Sequence, residues 1–327
     1  MENEVKAVGL VSGGLDSLLS VRLVQEQGIR VTGVHVATPF ESGFGVKTRE
    51  ALAKMAQDYG FELKIVETGP EYLDLLKHPT HKFGKNLNPC IDCHILMLRI
   101  AGRIMEEEGA AFVFTGEVLN QRGKSQVRHA LGVIEEECGL KGKLLRPLSA
   151  LVLPETDVEK AGLVDRSRLL GLHGRERKVQ LALAEEKGLK YYSAPAGGCL
   201  LTNAQFCVRL EELMSHTPDL TINDCLLLQV GRHFRLNDRT KLIVARNAVE
   251  SEAMLGLAGS DDYLISSEQC PGLLGLLRGD FSDTVLELVG AYAPDYVTVF
   301  QVKHAGRVSE KTGFARKGKE EFKQYLI

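Results

Sequence analysis

The segment S-G-G-L-D-S, Ser12 to Ser17, concentrates groups able to hold a phosphorylated ligand. Gly13 and Gly14 let backbone amides approach phosphate oxygens, and a helix starting there adds a favourable dipole. The hydroxyls of Ser12 and Ser17 can donate to phosphate, and Asp16 offers a carboxylate for a magnesium ion. Neither the Walker Gly-Lys-Ser/Thr nor the G-x-G-x-x-G spacing is present. A second chemistry resides in sulfur. Cys90 and Cys93 stand in N-P-C-I-D-C-H with the C-x-x-C spacing shared by zinc knuckles, redox pairs and iron–sulfur ligands. Cys199 follows a Pro-Ala-Gly-Gly turn, 195–198, whose backbone can bring the sulfur close to a bound group. His94 adjoins Cys93 and is poorly placed to complete a tetrahedral zinc site, and no second C-x-x-C exists. Cys138, Cys207, Cys225 and Cys270 sit in apolar or helical contexts and read as buried, inert thiols.

These residues need a scaffold, and the periodicity supplies one. The run 7–11 is a short apolar strand, 15–28 has helical spacing ending at Gly28, and 30–37 is a second strand. A helix over 48–60, a strand over 61–68, a helix over 93–109 and a strand over 110–117 continue the alternation. This implies an α/β fold with a doubly wound parallel sheet. Residues 140–204 join the same domain through the 144–148 strand and a helix before Cys199. Beyond residue 204 the alternation fades. Residues 221–255 read as strands joined by a turn at L-N-D-R-T, 236–240, and followed by a polar helix. A helix over 283–296 and a strand over 296–304 follow. The expected division is 1–204 and a smaller α+β domain, 205–327.

The chain of 327 residues carries 40 Lys and Arg against 43 Asp and Glu, so no global basic field advertises nucleic acid. A basic face within the balanced total is compatible with RNA. The start lacks a signal-peptide pattern and no apolar run reaches a membrane span, so a cytoplasmic protein with reduced thiols is expected, and no membrane partner. Seven cysteines, an odd number, also argue against a fully paired disulfide framework.

The S-G-G-x-D-S segment after the first strand resembles the PP-loop family, the ATP pyrophosphatases. The resemblance implies a doubly wound sheet, magnesium, and cleavage of ATP between its α and β phosphates to adenylate an oxygen atom. It implies nucleotide contacts from Ser12, Gly13, Gly14, Asp16 and Ser17, and adenine contacts near His35 to Thr38 at the end of the second strand. The stretch F-T-G-E-V-L-N-Q-R-G-K-S-Q, 114–126, is similar to the T-G-E-x-L-G-Q-x-x-S-Q segment of tRNA 4-thiouridine synthetases, with Asn120 in place of the glycine. It brings Thr115, Gly116, Gln121 and Ser125 to the nucleotide, with Arg122 and Lys124 able to meet phosphate. The tRNA 2-thiouridylases resemble the chain more distantly, pairing an N-P-C-x-x-C cysteine with a later one after glycine. In the second domain, V-A-R-N-A-V-E-S-E-A-M-L resembles the G-R-N core of the NFACT RNA-binding domain, with Ala245 in place of the glycine. Arg232, His233, Arg235, Arg239, Lys241 and Arg246 cluster around it.

The resulting expectation is an ATP-dependent tRNA thiouridine synthase. Asp16, Cys90 and Cys199 are its catalytic candidates, with tRNA and a sulfur donor, sulfide or a cysteine desulfurase, as partners; a homodimer is compatible. Cys90, Cys93 and Cys199 would ligate a [4Fe–4S] cluster with one iron left open for sulfide. In the alternative, one cysteine carries a persulfide and a second releases the product. Two rivals remain: another PP-loop adenylating ligase, and a nucleotide-binding RNA adaptor with a structural zinc site.

Overall fold

A computed structural model of the chain describes residues 4–41, 46–192 and 198–327. They form two compact units, Met1–Thr202 and Asn203–Ile327.

The first unit is built on strands β1 (Lys6–Leu10), β2 (Arg30–Ala37), β3 (Glu62–Glu67), β4 (Phe112–Thr115) and β5 (Leu144–Leu145). All pair in parallel in the order β3-β2-β1-β4-β5. Its helices are α1 (Leu15–Gln25), α2 (Val46–Tyr59), α3 (Pro70–Lys77), α4 (Cys90–Glu107), α5 (Arg128–Glu137), α6 (Asp157–Lys160) and α7 (Lys178–Glu186). Parallel strands need crossovers, and right-handed crossovers place helices on both faces. One face accordingly packs Leu15, Leu18, Leu52, Met55 and Ala184 from α1, α2 and α7. The other packs Ile95, Leu98, Ala101 and Ile134 from α4 and α5. Both faces being covered explains why β1 and β4 read as unbroken apolar runs. Strand order reverses beside β1, so the loops after β1 and β4 flank the crevice where such sheets bind ligands.

The second unit begins with α8 (Ala204–His216) and α9 (Ile222–Leu227). Its strands are β6 (Arg232–Asn237), β7 (Thr240–Val244), β8 (Tyr263–Ser266), β9 (Leu274–Arg278), β10 (Phe300–His304) and β11 (Arg307–Lys311), with α10 (Ala248–Leu257) and α11 (Asp283–Ala291) between them. They form an antiparallel sheet in the order β11-β10-β8-β9-β7-β6. One face carries Phe234, Leu277, Phe300 and α11; the other carries Ile243, Leu276 and Met254 of α10.

Three local readings are corrected. Residues 222–227 are helical, not strand, because Thr221 and Asp224 form a reciprocal capping box. Helix α3 was not foreseen, although Pro70 at its first position and the buried Tyr72, Leu73 and Leu76 account for it. The last long strand is shorter than its apolar run, starting at Phe300.

Candidate functional site

The segment after β1 turns through Gly13, at φ 73°, into α1, whose N-cap Gly14 brings no side chain to the first-turn amides. Helix amides left without a side-chain cap are the donors an anion site uses. The Ser17 hydroxyl donates to the Gly14 carbonyl at 2.8 Å, and Ser12 Oγ lies 3.4 Å from it. The loop after β4 packs directly on this turn. A Cβ on Gly116 would stand 2.5 Å from the Ser17 nitrogen and 2.7 Å from the Asp16 carbonyl oxygen, so only glycine fits.

Asp16 Oδ2 accepts from Gln121 Nε2 at 3.2 Å and lies 3.7 Å from Arg177. Burial raises its pKa, against the opposing pull of Arg177 and Gln121. Its other oxygen, Oδ1, is buried without a hydrogen-bond partner, as are Arg177 Nε and Gln180 Nε2. Buried polar atoms left unmet are costly, so this group is built for something more. Arg177 and Gln180 escaped sequence reasoning because an isolated arginine and glutamine in a charged helical stretch carry no motif.

Asn120, where a relative's glycine would stand, has φ 62°. Asparagine and glycine tolerate this left-handed region and branched side chains do not. Asn120→Gly is therefore expected to leave the melting temperature within about 2 °C, whereas Asn120→Val costs about 1–2 kcal/mol. Thermal unfolding followed by circular dichroism checks both.

The thiols converge from two segments of the first unit. Cys90 is the first residue of α4 and Cys93 lies one turn in. The Tyr72 hydroxyl donates to Cys93 Sγ at 3.3 Å. Cys199 is fixed by backbone: it bridges Glu41, and the Leu200 N–H donates to the Phe40 carbonyl at 2.8 Å. Phe40 in turn packs on Tyr72, ring centroids 5.7 Å apart. All three thiols act on the buried Tyr72 hydroxyl, which burial and their charges push up. The Pro195-Ala196-Gly197 part of the expected turn lies outside the described residues.

One C-x-x-C contains two different thiols. Desolvation, with the charges of Cys199 and Cys90, pushes Cys93 up to about 12. Burial also opposes ionisation of Cys90, but hydrogen bonds from His94 and Ser125 to its thiolate, with the His94 and Arg122 charges, bring it below the ordinary value. Its place at a helix N-terminus acts in the same direction. His94 is the partner that the sequence reading discounted. Its burial is overcome by Cys90 and Glu117, and its pKa rises to about 10. Its Nδ1 lies 2.9 Å from Glu117 Oε1, while Arg146 Nε donates to Glu117 Oε2 at 3.0 Å. Burial would raise Glu117, yet Arg146 and His94 hold it down to about 2. Cys90, His94, Glu117 and Arg146 thus form a single relay.

Ser125, expected at the nucleotide, sits 3.2 Å from Cys90 Sγ. Thr115 Oγ1 donates to Glu117 at 3.1 Å. His35 is buried with both ring nitrogens engaged, Nδ1 with the Val11 carbonyl at 2.9 Å and Nε2 with Glu41 at 3.1 Å. The segment after β4 links the two halves of the site, because Gln121 meets Asp16 and Ser125 meets Cys90. Cys138, Cys207 and Cys225 are buried, and Cys270 is half-buried. A cavity of about 520 Å³ opens at the opposite ends of β2 and β3, beside Gln25, Arg30 and Phe61, away from this chemistry.

Residues 3–156 match the family model described as Thiamine biosynthesis protein (ThiI). The match takes in the phosphate loop, Cys90, Cys93 and the relay, and ends before Cys199. Residues 231–316 match the NFACT protein RNA binding domain. Over 171 residues the chain is 27% identical to a probable tRNA sulfurtransferase of Thermococcus kodakarensis, covering 51% of this chain and 41% of that protein. It is 31% identical over 123 residues to the tRNA-specific 2-thiouridylase MnmA of Sulfurimonas denitrificans, covering 35% of each. The chain therefore spans less than half the length of either relative. Among solved structures, the U34-tRNA thiolase NcsA from Methanococcus maripaludis, with its [4Fe–4S] cluster, aligns at a TM-score of 0.36 and 22% identity, over 70% of this chain and 71% of that one. Among the described residues no helix is long and apolar enough to cross a membrane.

Proposed function

We propose that the chain is an ATP-dependent tRNA thiouridine synthase. One observation carries the reading: the segment after β4 meets the Asp16 carboxylate through Gln121, at 3.2 Å, and Cys90 Sγ through Ser125, also at 3.2 Å. This supports two half-reactions that share one substrate. Ser12, Ser17 and the α1 amides would hold the phosphates of ATP, and Asp16, with one buried oxygen unmet, would hold magnesium. The uridine carbonyl oxygen attacks the α-phosphorus, an O–P bond forms and pyrophosphate leaves. A sulfur nucleophile then adds at the same carbon, and the C–O bond breaks to release AMP. Adenylation is needed because a carbonyl oxygen is a poor leaving group. The loop amides, preorganised by packing against Gly116, would stabilise the transferring phosphoryl group.

Cys90, Cys93 and Cys199 fit a [4Fe–4S] cluster in donor type, and all three act on the one Tyr72 hydroxyl. Among the described residues no three His, Cys, Asp or Glu side chains are arranged around a single metal ion. A cubane cluster spaces its thiolates more widely than one zinc does. When bound, it would leave one iron open to supply sulfide as the nucleophile. A second reading is favoured by the Cys90–His94 hydrogen bond, which suits a persulfide on Cys90. There the terminal sulfur attacks, and a Cys199 thiolate releases the thiouridine as a Cys90–Cys199 disulfide forms; a thiol reductant then restores both.

Anaerobic purification followed by iron, sulfide and zinc analysis tests this, together with assay of thiouridine in a tRNA transcript given ATP and sulfide. Four irons per chain and sulfide-dependent thiolation are the expected result. A metal-free protein active only with a cysteine desulfurase selects the persulfide route. One zinc per chain and no thiolation overturns both. The second unit would hold the RNA, mostly by shape and backbone charge.

A further inference from the structure

The phosphate loop S-G-G-L-D-S contains no lysine or arginine, so a formal positive charge at its ligand must come from elsewhere in the chain. The start of α7 supplies one. Among the described residues Arg177 alone forms an ion pair with Asp16, its Nη2 lying 3.7 Å from Oδ2. That distance is too long for a hydrogen bond, and the Arg177 side chain donates none to any described residue. Its Nε is buried and unmet, but the side chain keeps 25% of its surface exposed, which leaves the terminal amino groups within reach of a ligand.

Packing fixes this position. Helix α7 runs alongside α1 in the same direction: Arg177 stands by Asp16 where both begin, and Lys187 donates to Glu26 at 2.9 Å where both end. Leu18, Val21 and Ala184 join the two helices in one core. The segment before α7 is tied to the loop after β4, the Gly174 N–H donating to the Leu119 carbonyl at 2.7 Å. Arg177 is also the N-cap of α7 and gives the first-turn amides no side-chain acceptor, so the helix dipole adds to the guanidinium charge. An arginine serving only as partner to Asp16 would close to hydrogen-bond distance. Held at 3.7 Å beside a carboxylate that already accepts from Gln121, its donors stay available to an anion.

We propose that Arg177 binds the β- and γ-phosphates of ATP and receives the pyrophosphate that leaves on adenylation. The inference rests on the reading of Ser12 to Ser17 as an ATP site and names the cation that this site uses. Attack on the α-phosphorus breaks its bond to the bridging oxygen, and the electron pair departs with pyrophosphate. Negative charge grows on that leaving group, so a preorganised cation acts there most, and a planar guanidinium fork matches its oxygens. Arg177 lies beyond residue 156, where the ThiI match ends.

Calorimetric titration of the full chain with ATP, AMP and inorganic pyrophosphate, each with magnesium, tests this. Arg177→Gln is expected to weaken ATP and pyrophosphate about tenfold each, while AMP stays within about twofold of wild type. Arg177→Lys should recover part of the ATP affinity, because it restores the charge but not the fork. Both variants should melt within about 2 °C of wild type, since Arg177 donates no hydrogen bond to the described fold. If the wild type binds ATP and Arg177→Gln binds it equally well, the assignment is wrong while the ATP site stands. An equal loss of ATP and AMP, or a melting temperature lowered by more than about 5 °C, gives Arg177 the role of holding Asp16 or α7 and also overturns it. If the wild type binds no ATP, the ATP reading falls and the assignment with it.

Discussion

Cys199→Ala is expected to reduce thiouridine formation to background while ATP affinity stays within about twofold of wild type. The first half follows from the convergence of Cys199, Cys90 and Cys93 on Tyr72. The second follows from the separate construction of the phosphate loop, whose contacts run through Ser12, Ser17, Gln121 and Gly116. Mass spectrometry of digested tRNA reads the product, and calorimetric titration reads ATP. Retained thiolation would remove Cys199 from both proposed routes. Cys93→Ala separates the routes. A thiol pushed up to about 12 is a poor nucleophile, so the persulfide route should survive its loss. A cluster deprived of one of three ligands should not, and activity and iron content should disappear together.

Glu117→Gln is expected to cost about 3 kcal/mol of stability at pH 7, because it strips the anionic partner from a buried ion pair. Glu117 and Arg146 are each only about 5% exposed, and Oε2 also accepts from the Thr115 hydroxyl. Arg146 would keep Glu135 and the Leu131 carbonyl, at 3.0 and 3.2 Å, which limits the loss. The effect carries a pH signature. The folded value of Glu117, about 2, lies below its ordinary 4.5, so its stabilisation is fully present above pH 4.5 and lost as pH falls towards 2. Denaturant unfolding should show the gap between wild type and Glu117→Gln narrowing by roughly 2 kcal/mol from pH 7 to pH 3. A gap independent of pH would mean that shape, not charge, sets the cost. The substitution also frees His94 to rotate away from Cys90, so thiolation should fall even where the protein stays folded.

Much of this was legible in residue order because local physics wrote it there. Buried parallel strands must be apolar throughout, so β1, β2 and β4 announced themselves. S-G-G-L-D-S marked the strand-to-helix turn because glycine takes φ 73° at Gly13 without strain and lets amides approach closely. The α9 turn was misread because a six-residue apolar helix and a buried strand share one pattern; Thr221 and Asp224 held the deciding signal.

By itself, the sequence determined an α/β phosphate-loop domain with a C-x-x-C pair and a later cysteine, since each is a local pattern of residue types. Tertiary structure alone decided that the two thiols of the pair differ, one lowered by His94 and one pushed up to about 12. It also turned Ser125 towards sulfur, and made His94, Glu117 and Arg146 a relay across three elements. Burial and charge are sums over neighbours distant in the chain, and no window of sequence contains them.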